Sequence, residues 1–147
     1  MKGEQVDARL RERGAAAVEF ALVLVPLLLI LFGTIYFALY FNARQGAQAA
    51  AREGARVASL RRGSAAEACA RAQSALAGVA LENPTVSAGS TSAASSGCGS
   101  ATFLCARTPG GITGDVYVKV SGEVTFAIPF SITGPVSVTT TARYRCE

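Results

Sequence analysis

Between Phe20 and Phe41 stand 22 consecutive residues without a charged side chain, FALVLVPLLLILFGTIYFALYF. At about 1.5 Å per residue, a helix of that length covers the roughly 30 Å of a bilayer's hydrocarbon layer, so the run predicts a membrane span. Pro26 would break a soluble helix. Lipid penalises unpaired backbone groups so heavily that the helix is expected to continue here with a kink. Tyr36, Phe37, Tyr40 and Phe41 gather at one end, where amphipathic rings favour the interface, and this sets the membrane exit near residue 41. A cleaved secretory signal is the competing reading, because Ala47-Gln48-Ala49 has the small-x-small pattern of a signal-peptidase site. The hydrophobic region of such signals, however, runs to only about 15 residues.

Orientation is balanced on charge count and decided by other signs. Lys2, Arg9, Arg11 and Arg13 precede the span, and Arg44, Arg52, Arg56 and Arg61 follow it. Arg9, Arg11 and Arg13 crowd the nearer end, which favours a cytoplasmic N-terminus. All four cysteines, Cys69, Cys98, Cys105 and Cys146, lie after the span, an even number on one side and none on the other. That distribution predicts disulfides and an oxidising C-terminal side. No CxxC pair is present to suggest a metal site, and none is expected.

Composition narrows the available chemistry. The chain has no His, which excludes Ser-His-Asp and Cys-His catalysis and zinc sites built on imidazole. No GxSxG, GxxxxGK[ST] or GxGxxG motif occurs, and no redox-type CxxC, so an enzyme is not expected, nor a cofactor or a small-molecule substrate. The net charge of +4 is spread over arginines with almost no aromatic residue beside them, which argues against nucleic-acid binding.

Glu19 is the anomaly. It stands about one turn from the start of a lipid-facing helix, where a carboxylate needs either a partner or a route to the headgroups. A charged leader ends at Gly14, small and apolar residues fill positions 15 to 18, and Glu19-Phe20 opens the apolar run. This arrangement resembles the processing site of type IV prepilins. Further, residues 13–59 are similar to the TadE-like family, pilin-like proteins of the tight-adherence (Flp, type IVb) pilus system. The resemblance rests on GAAAVEFAL at the start of the span, on Pro26 and on AAREGAR at Ala50–Arg56. It implies cleavage by a membrane prepilin peptidase between Gly14 and Ala15, with Glu19 at the fifth position of the mature chain. The new ammonium of one subunit would then pair with Glu19 of another. Its implied partners are the peptidase, other pilus subunits and the assembly machinery.

Beyond the span a helical pattern continues. Ala43, Gly46, Ala47, Ala50, Gly54, Val57 and Ala58 form a nearly flat side of small residues, while Arg44, Gln48, Arg52 and Arg56 form a polar stripe. A flat side permits close approach, and packing on this chain's own later elements is the expected use. A helix from Ala15 to about Arg62 would be roughly 72 Å long. Gly63 is expected to cap it, and Ser64-Ala65-Ala66-Glu67 to open a second helix that ends before Asn83-Pro84. Residues 87–102 contain only Ser, Thr, Gly, Ala and Cys98, a composition that predicts a loop. Alternation at Val116, Val118 and Val120, at Val124, Phe126 and Ile128, and from Val136 to Tyr144 predicts two to four antiparallel strands.

The expected architecture is therefore an α+β, pilin-like chain. It has a leader (1–14), a transmembrane helix (15–41), a helical stalk (42–62) and an extracytoplasmic head (63–147) with a small antiparallel sheet. Four cysteines allow three pairings. The favoured one closes a small loop through Cys98–Cys105 and ties helix to terminal strand through Cys69–Cys146. The function expected is that of a non-enzymatic minor pilin or pseudopilin acting in pilus assembly and adhesion. The alternative is an unprocessed envelope protein whose head binds a partner.

Overall fold

The structure is a computed structural model and describes residues 3–60, 63–91, 97–99, 104–108, 111–125 and 134–146, with backbone alone at 3–14, 106–108 and 111–113. The elements run α1 (Gly3–Ser59), α2 (Ala65–Ala75), β1 (Glu82–Ser90), β2 (Ala106–Thr108), β3 (Gly111–Thr113), β4 (Asp115–Val124) and β5 (Val136–Arg145). A long apolar helix, a short second helix and an antiparallel sheet make this the expected α+β, pilin-like class. The chain divides into two compact units, Met1–Ala38 and Leu39–Glu147.

In the first unit α1 is helical from Gly3 onward and passes without a break through Pro26. Thr34, the one hydroxyl in the apolar run besides its tyrosines, donates back to the Ile30 and Leu31 carbonyls at 2.8 Å each, so it leaves no open donor toward lipid.

The second unit is built on a three-stranded antiparallel sheet in the order β1-β4-β5, with β2 and β3 forming a separate two-stranded ladder. Val116, Val118 and Val120 point to one face of β4, and Ala88 of β1 and Val138 and Ala142 of β5 lie on the same buried face. Against that face stands the small-residue side of α1. Ala43, Ala47, Ala50, Ala51, Ala55 and Ala58 are at most 1% exposed, while Arg44, Gln48, Arg52 and Arg56 face outward as the periodicity predicts. The packing is close because side chains are missing. A Cβ placed on Gly54 would lie 2.8 Å from the Ala68 carbonyl oxygen and 2.9 Å from the Ala72 Cβ, and one on Gly46 would meet Val79 at 2.7 Å. The segment anticipated as a stalk thus belongs to the compact unit that holds the sheet.

The start of α2 follows the sequence. Ser64 accepts from the Glu67 amide and the Glu67 carboxylate accepts from the Ser64 amide, a complete capping box. Its end does not. The helix stops at Ala75, and Gly78, at φ +91°, turns the chain in the left-handed region before any residue of Asn83-Pro84 is reached. Asn83 and Pro84 lie instead in β1, at an irregularity in its register with β4. Gly63 is also needed for a different reason from the one expected. Its backbone is not left-handed, but a Cβ there would collide with the Val57 carbonyl, so glycine lets the chain double back against the end of α1.

Two further expectations are corrected. Residues 87–90, read as the start of a loop, are the buried end of β1, with Ser87, Ala88, Gly89 and Ser90 opposite Lys119, Val118, Tyr117 and Val116. Cross-strand pairing supplies what composition could not, since small residues are what fits beneath α2. The expected strand residues Phe126 and Ile128 lie outside the described residues, as does most of 92–103.

The disulfides are Cys69–Cys98 and Cys105–Cys146, not Cys98–Cys105 with Cys69–Cys146. The cause is β1. The Gly97 amide donates to the Ala88 carbonyl at its buried end, which sets Cys98 within reach of Cys69 on α2. Leu104 then donates to the Gly63 carbonyl, setting Cys105 at the end of α1, where the last residue of β5 delivers Cys146. A local spacing of seven residues carried no information about either event.

Three outcomes follow. Peptide mapping without reduction is expected to recover the Cys69–Cys98 and Cys105–Cys146 peptides. Replacing either pair with alanine should cost the folded head about 3–4 kcal/mol in urea unfolding, from the loops of 29 and 41 residues that the bonds close. Gly54→Leu should destabilise it by about 1–3 kcal/mol or more, read as a lower unfolding midpoint, because the new side chain meets backbone and Cβ atoms that cannot retreat.

Candidate membrane and assembly site

The residues singled out from the sequence lie along α1. Gly14 and Ala15 are within its continuous helical backbone, so the bond expected to be cut has no exposed loop around it. Glycine nevertheless weakens the helix there by about 1 kcal/mol relative to alanine. Glu19 follows Ala15 by four residues and is exposed on the same side of the helix, with Leu22 and Pro26 continuing that side. Among the described residues Glu19 has no ion-pair partner. Next to it Ala17, Val18, Ala21, Leu22, Val25 and Pro26 line a shallow apolar groove, open because alanines at positions 17 and 21 leave a gap between the larger side chains.

Apart from Glu19, the described side chains around this groove are apolar. Phe20 is 67% exposed, Leu22 70%, Leu29 70% and Ile30 67%, and most other large apolar side chains on to Phe41 are exposed to a lesser degree, down to 37% at Leu28. Such a surface cannot face water without a large cost. At about 25 cal/mol per Å², the exposed side chains of Leu, Ile, Val and Phe between residues 18 and 41 represent tens of kcal/mol of unfavourable hydration. Among the described residues this is the helix long and apolar enough to cross a membrane, as a single-pass anchor requires. Tyr36 and Tyr40 are half-buried at its end, and the Tyr40 and Phe41 rings meet edge to face at 6.5 Å.

In the second unit, reasoning from sequence missed a polar clamp between the helices. Arg71 of α2 donates through Nε and one terminal nitrogen to Glu53 Oε1, both at 3.1 Å, and Arg56 stands 3.7 Å from the other Glu53 oxygen. Both ends are partly exposed, so the pair contributes about 1 kcal/mol or less. Its role is to fix how α2 lies along α1. No local signal joins residues 53 and 71, and only the approach of the two helices at Gly54 reveals the pair. The four cysteines are all engaged in disulfides and offer neither a thiol nor a metal ligand. Among the described residues, no group of three or more acidic, cysteine or histidine side chains is placed to hold a metal.

A family model described as TadE-like protein matches residues 14–56, the family that the sequence resembles. The match begins at Gly14, takes in Glu19, the apolar run and Pro26, and ends at Arg56, inside α1 throughout. It therefore associates this helix with proteins of the Tad pilus. The sheet, α2 and both disulfides lie beyond it. No curated protein and no solved structure matches the chain.

Placing two charges at the middle of the run tests the membrane reading. The double substitution Leu29→Arg and Ile30→Arg is expected to add about 5–7 kcal/mol to insertion and to release the chain from membranes washed at alkaline pH, where the unaltered chain stays bound.

Proposed function

We propose that this chain is a non-enzymatic minor pilin or pseudopilin of a tight-adherence, type IVb pilus. In this reading the prepilin peptidase trims it after Gly14, and it then serves in pilus assembly and surface adhesion. The observation that carries the proposal is the match of residues 14–56 to the TadE-like family on a helix whose apolar side chains and lone carboxylate are exposed together. An acid in that position is expensive in lipid by itself. It becomes acceptable once a cation sits beside it, and cleavage after Gly14 creates such a cation, the Ala15 ammonium, one helical turn from Glu19 along the mature chain. Between neighbouring subunits packed along their groove faces, the ammonium of one and the Glu19 of another would fix the longitudinal register.

The rest of the chain supports the same reading. The disulfides suit an oxidising, extracytoplasmic location for the head, with the N-terminus in the cytoplasm, where the arginines before the span belong. Nothing in the assigned role requires turnover. The partners are the peptidase, the other pilus subunits and the membrane assembly machinery.

N-terminal sequencing of the protein isolated from cells with an active prepilin peptidase should read Ala15-Ala16-Ala17-Val18-Glu19. A chain that still begins at Met1 there contradicts the processing step and favours an uncleaved envelope anchor. Glu19→Ala is expected to leave membrane insertion unchanged while piliation falls, and normal piliation would remove the registration role.

A further inference from the structure

The face of the sheet turned away from the helices has a charge order that the proposed function does not use. Along β4 the outward residues are Asp115, Tyr117, Lys119, Ser121 and Glu123, alternating with the buried valines. At one end Glu123 stands in register with Glu82 of β1, so two exposed carboxylates face each other across the ladder. Like charges directly opposed in a sheet are unfavourable. Toward the other end come Lys119, then Arg143 in register with Tyr117, then Arg145 in register with Asp115. Between the ends lies a neutral row in which Thr85 and Ser121 share a hydrogen bond at 3.0 Å beside Thr139. The face thus carries two acids at one end and, at the other, three basic residues against the single acid Asp115.

Arg145 has Asp115 beside it across the ladder, but the other four charges have no such neighbour among the described residues. Among the described residues Glu82, Glu123, Lys119 and Arg143 enter no ion pair. At about 3.4 Å per residue, Glu123 is roughly 14 Å along the sheet from Lys119 and about 20 Å from Arg143, beyond the Debye length of about 8 Å at physiological salt. The two ends cannot satisfy each other in one copy, whereas two copies can. From this we infer that the outer sheet face is a docking surface for a second copy of this chain, laid face to face with strands antiparallel. The Glu82–Glu123 end of each then covers the Lys119–Arg143 end of the other.

An isologous pairing of this kind satisfies both ends with a single contact, since whatever residue i of one copy meets is met in return. Tyr117, half-buried over Gly89, supplies an aromatic body near the basic end, and the hydroxyl row of Thr85, Ser121 and Thr139 lines a shallow depression. The size of the face fixes the strength of the contact. Three strands of nine or ten residues present about 14 Å by 30 Å, or about 400 Å² per copy. This falls below the roughly 1,200 Å² total of a stable complex. The contact is therefore weak, reversible and sensitive to salt, suited to chains already concentrated in one membrane.

The test uses the full chain in detergent, by sedimentation equilibrium. The unaltered chain is expected to self-associate with an affinity that drops on going from low to high sodium chloride. The acid-end variant E82K/E123K and the basic-end variant K119E/R143E should each weaken self-association by about tenfold or more, the sum of several exposed pairs turned repulsive. Mixed together, the two variants should associate at least as well as the unaltered chain, because basic residues then outnumber acids at both ends of one variant and acids outnumber basic residues at both ends of the other. All four positions are exposed, and an unchanged far-UV spectrum confirms that the variants remain folded. A monomeric chain at low salt overturns the inference. So does self-association that neither variant alters, which would place the contact on the apolar helix, and so does failure of the mixture to recover. These outcomes are independent of cleavage after Gly14.

Discussion

Contact between the alanine and glycine side of α1 and the valine face of the sheet is what the head depends on. Neither partner is stable alone. A helix segment with glycines at 46 and 54 loses about 1 kcal/mol at each relative to alanine, and a three-stranded sheet needs its apolar face covered. The absence of side chains that weakens the helix is also what lets the sheet and α2 approach to van der Waals distance at Gly54. Capping at Ser64, the Glu53–Arg71 clamp and the turn at Gly63 all act to hold α2 in the position this approach defines.

The same helix changes its surface along its length. From Val18 to Phe41, apart from Glu19, most of its Leu, Ile, Val and Phe side chains are exposed. From Ala43 on it presents alanine and glycine on one side and arginine on the other. Large apolar groups have a use where the surroundings are lipid, and small ones where another element of the protein must come close. Because the core of this unit is rich in alanine, apolar burial alone leaves it marginal, and the two disulfides make up the difference by restricting the unfolded chain.

What could be read from the sequence follows from the range of each interaction. The apolar run, the arginine stripe at four-residue spacing, the capping box at Ser64 and the alternating valines of β4 are local patterns, and the structure has them where they were expected. Glu19 was legible for the opposite reason, as a break in a local pattern. The disulfide pairing was not legible, because it depends on β1, and β1 has no pattern of its own. Ser87 to Ser90 form a strand only because β4 lies beside them, and their small size, which reads as loop, is a requirement of the helix above. The end of α2 was misplaced since Asn83-Pro84 is a stronger stop signal in sequence than Gly78, and the chain had already turned. The cross-strand carboxylates Glu82 and Glu123 are 41 positions apart and became neighbours only through register.

The central claim is that one helix is held by two different surroundings, lipid up to about Phe41 and the protein's own sheet after it. Hydrogen exchange on the full chain reconstituted in bilayers, with and without reduction of the disulfides, measures both at once. The account predicts slow exchange at 20–41 in either state, and protection at 43–58 that is strong when the disulfides are intact and lost when reduction unfolds the head. Rapid exchange across 20–41 in the bilayer, or protection at 43–58 that survives unfolding of the sheet, would contradict it.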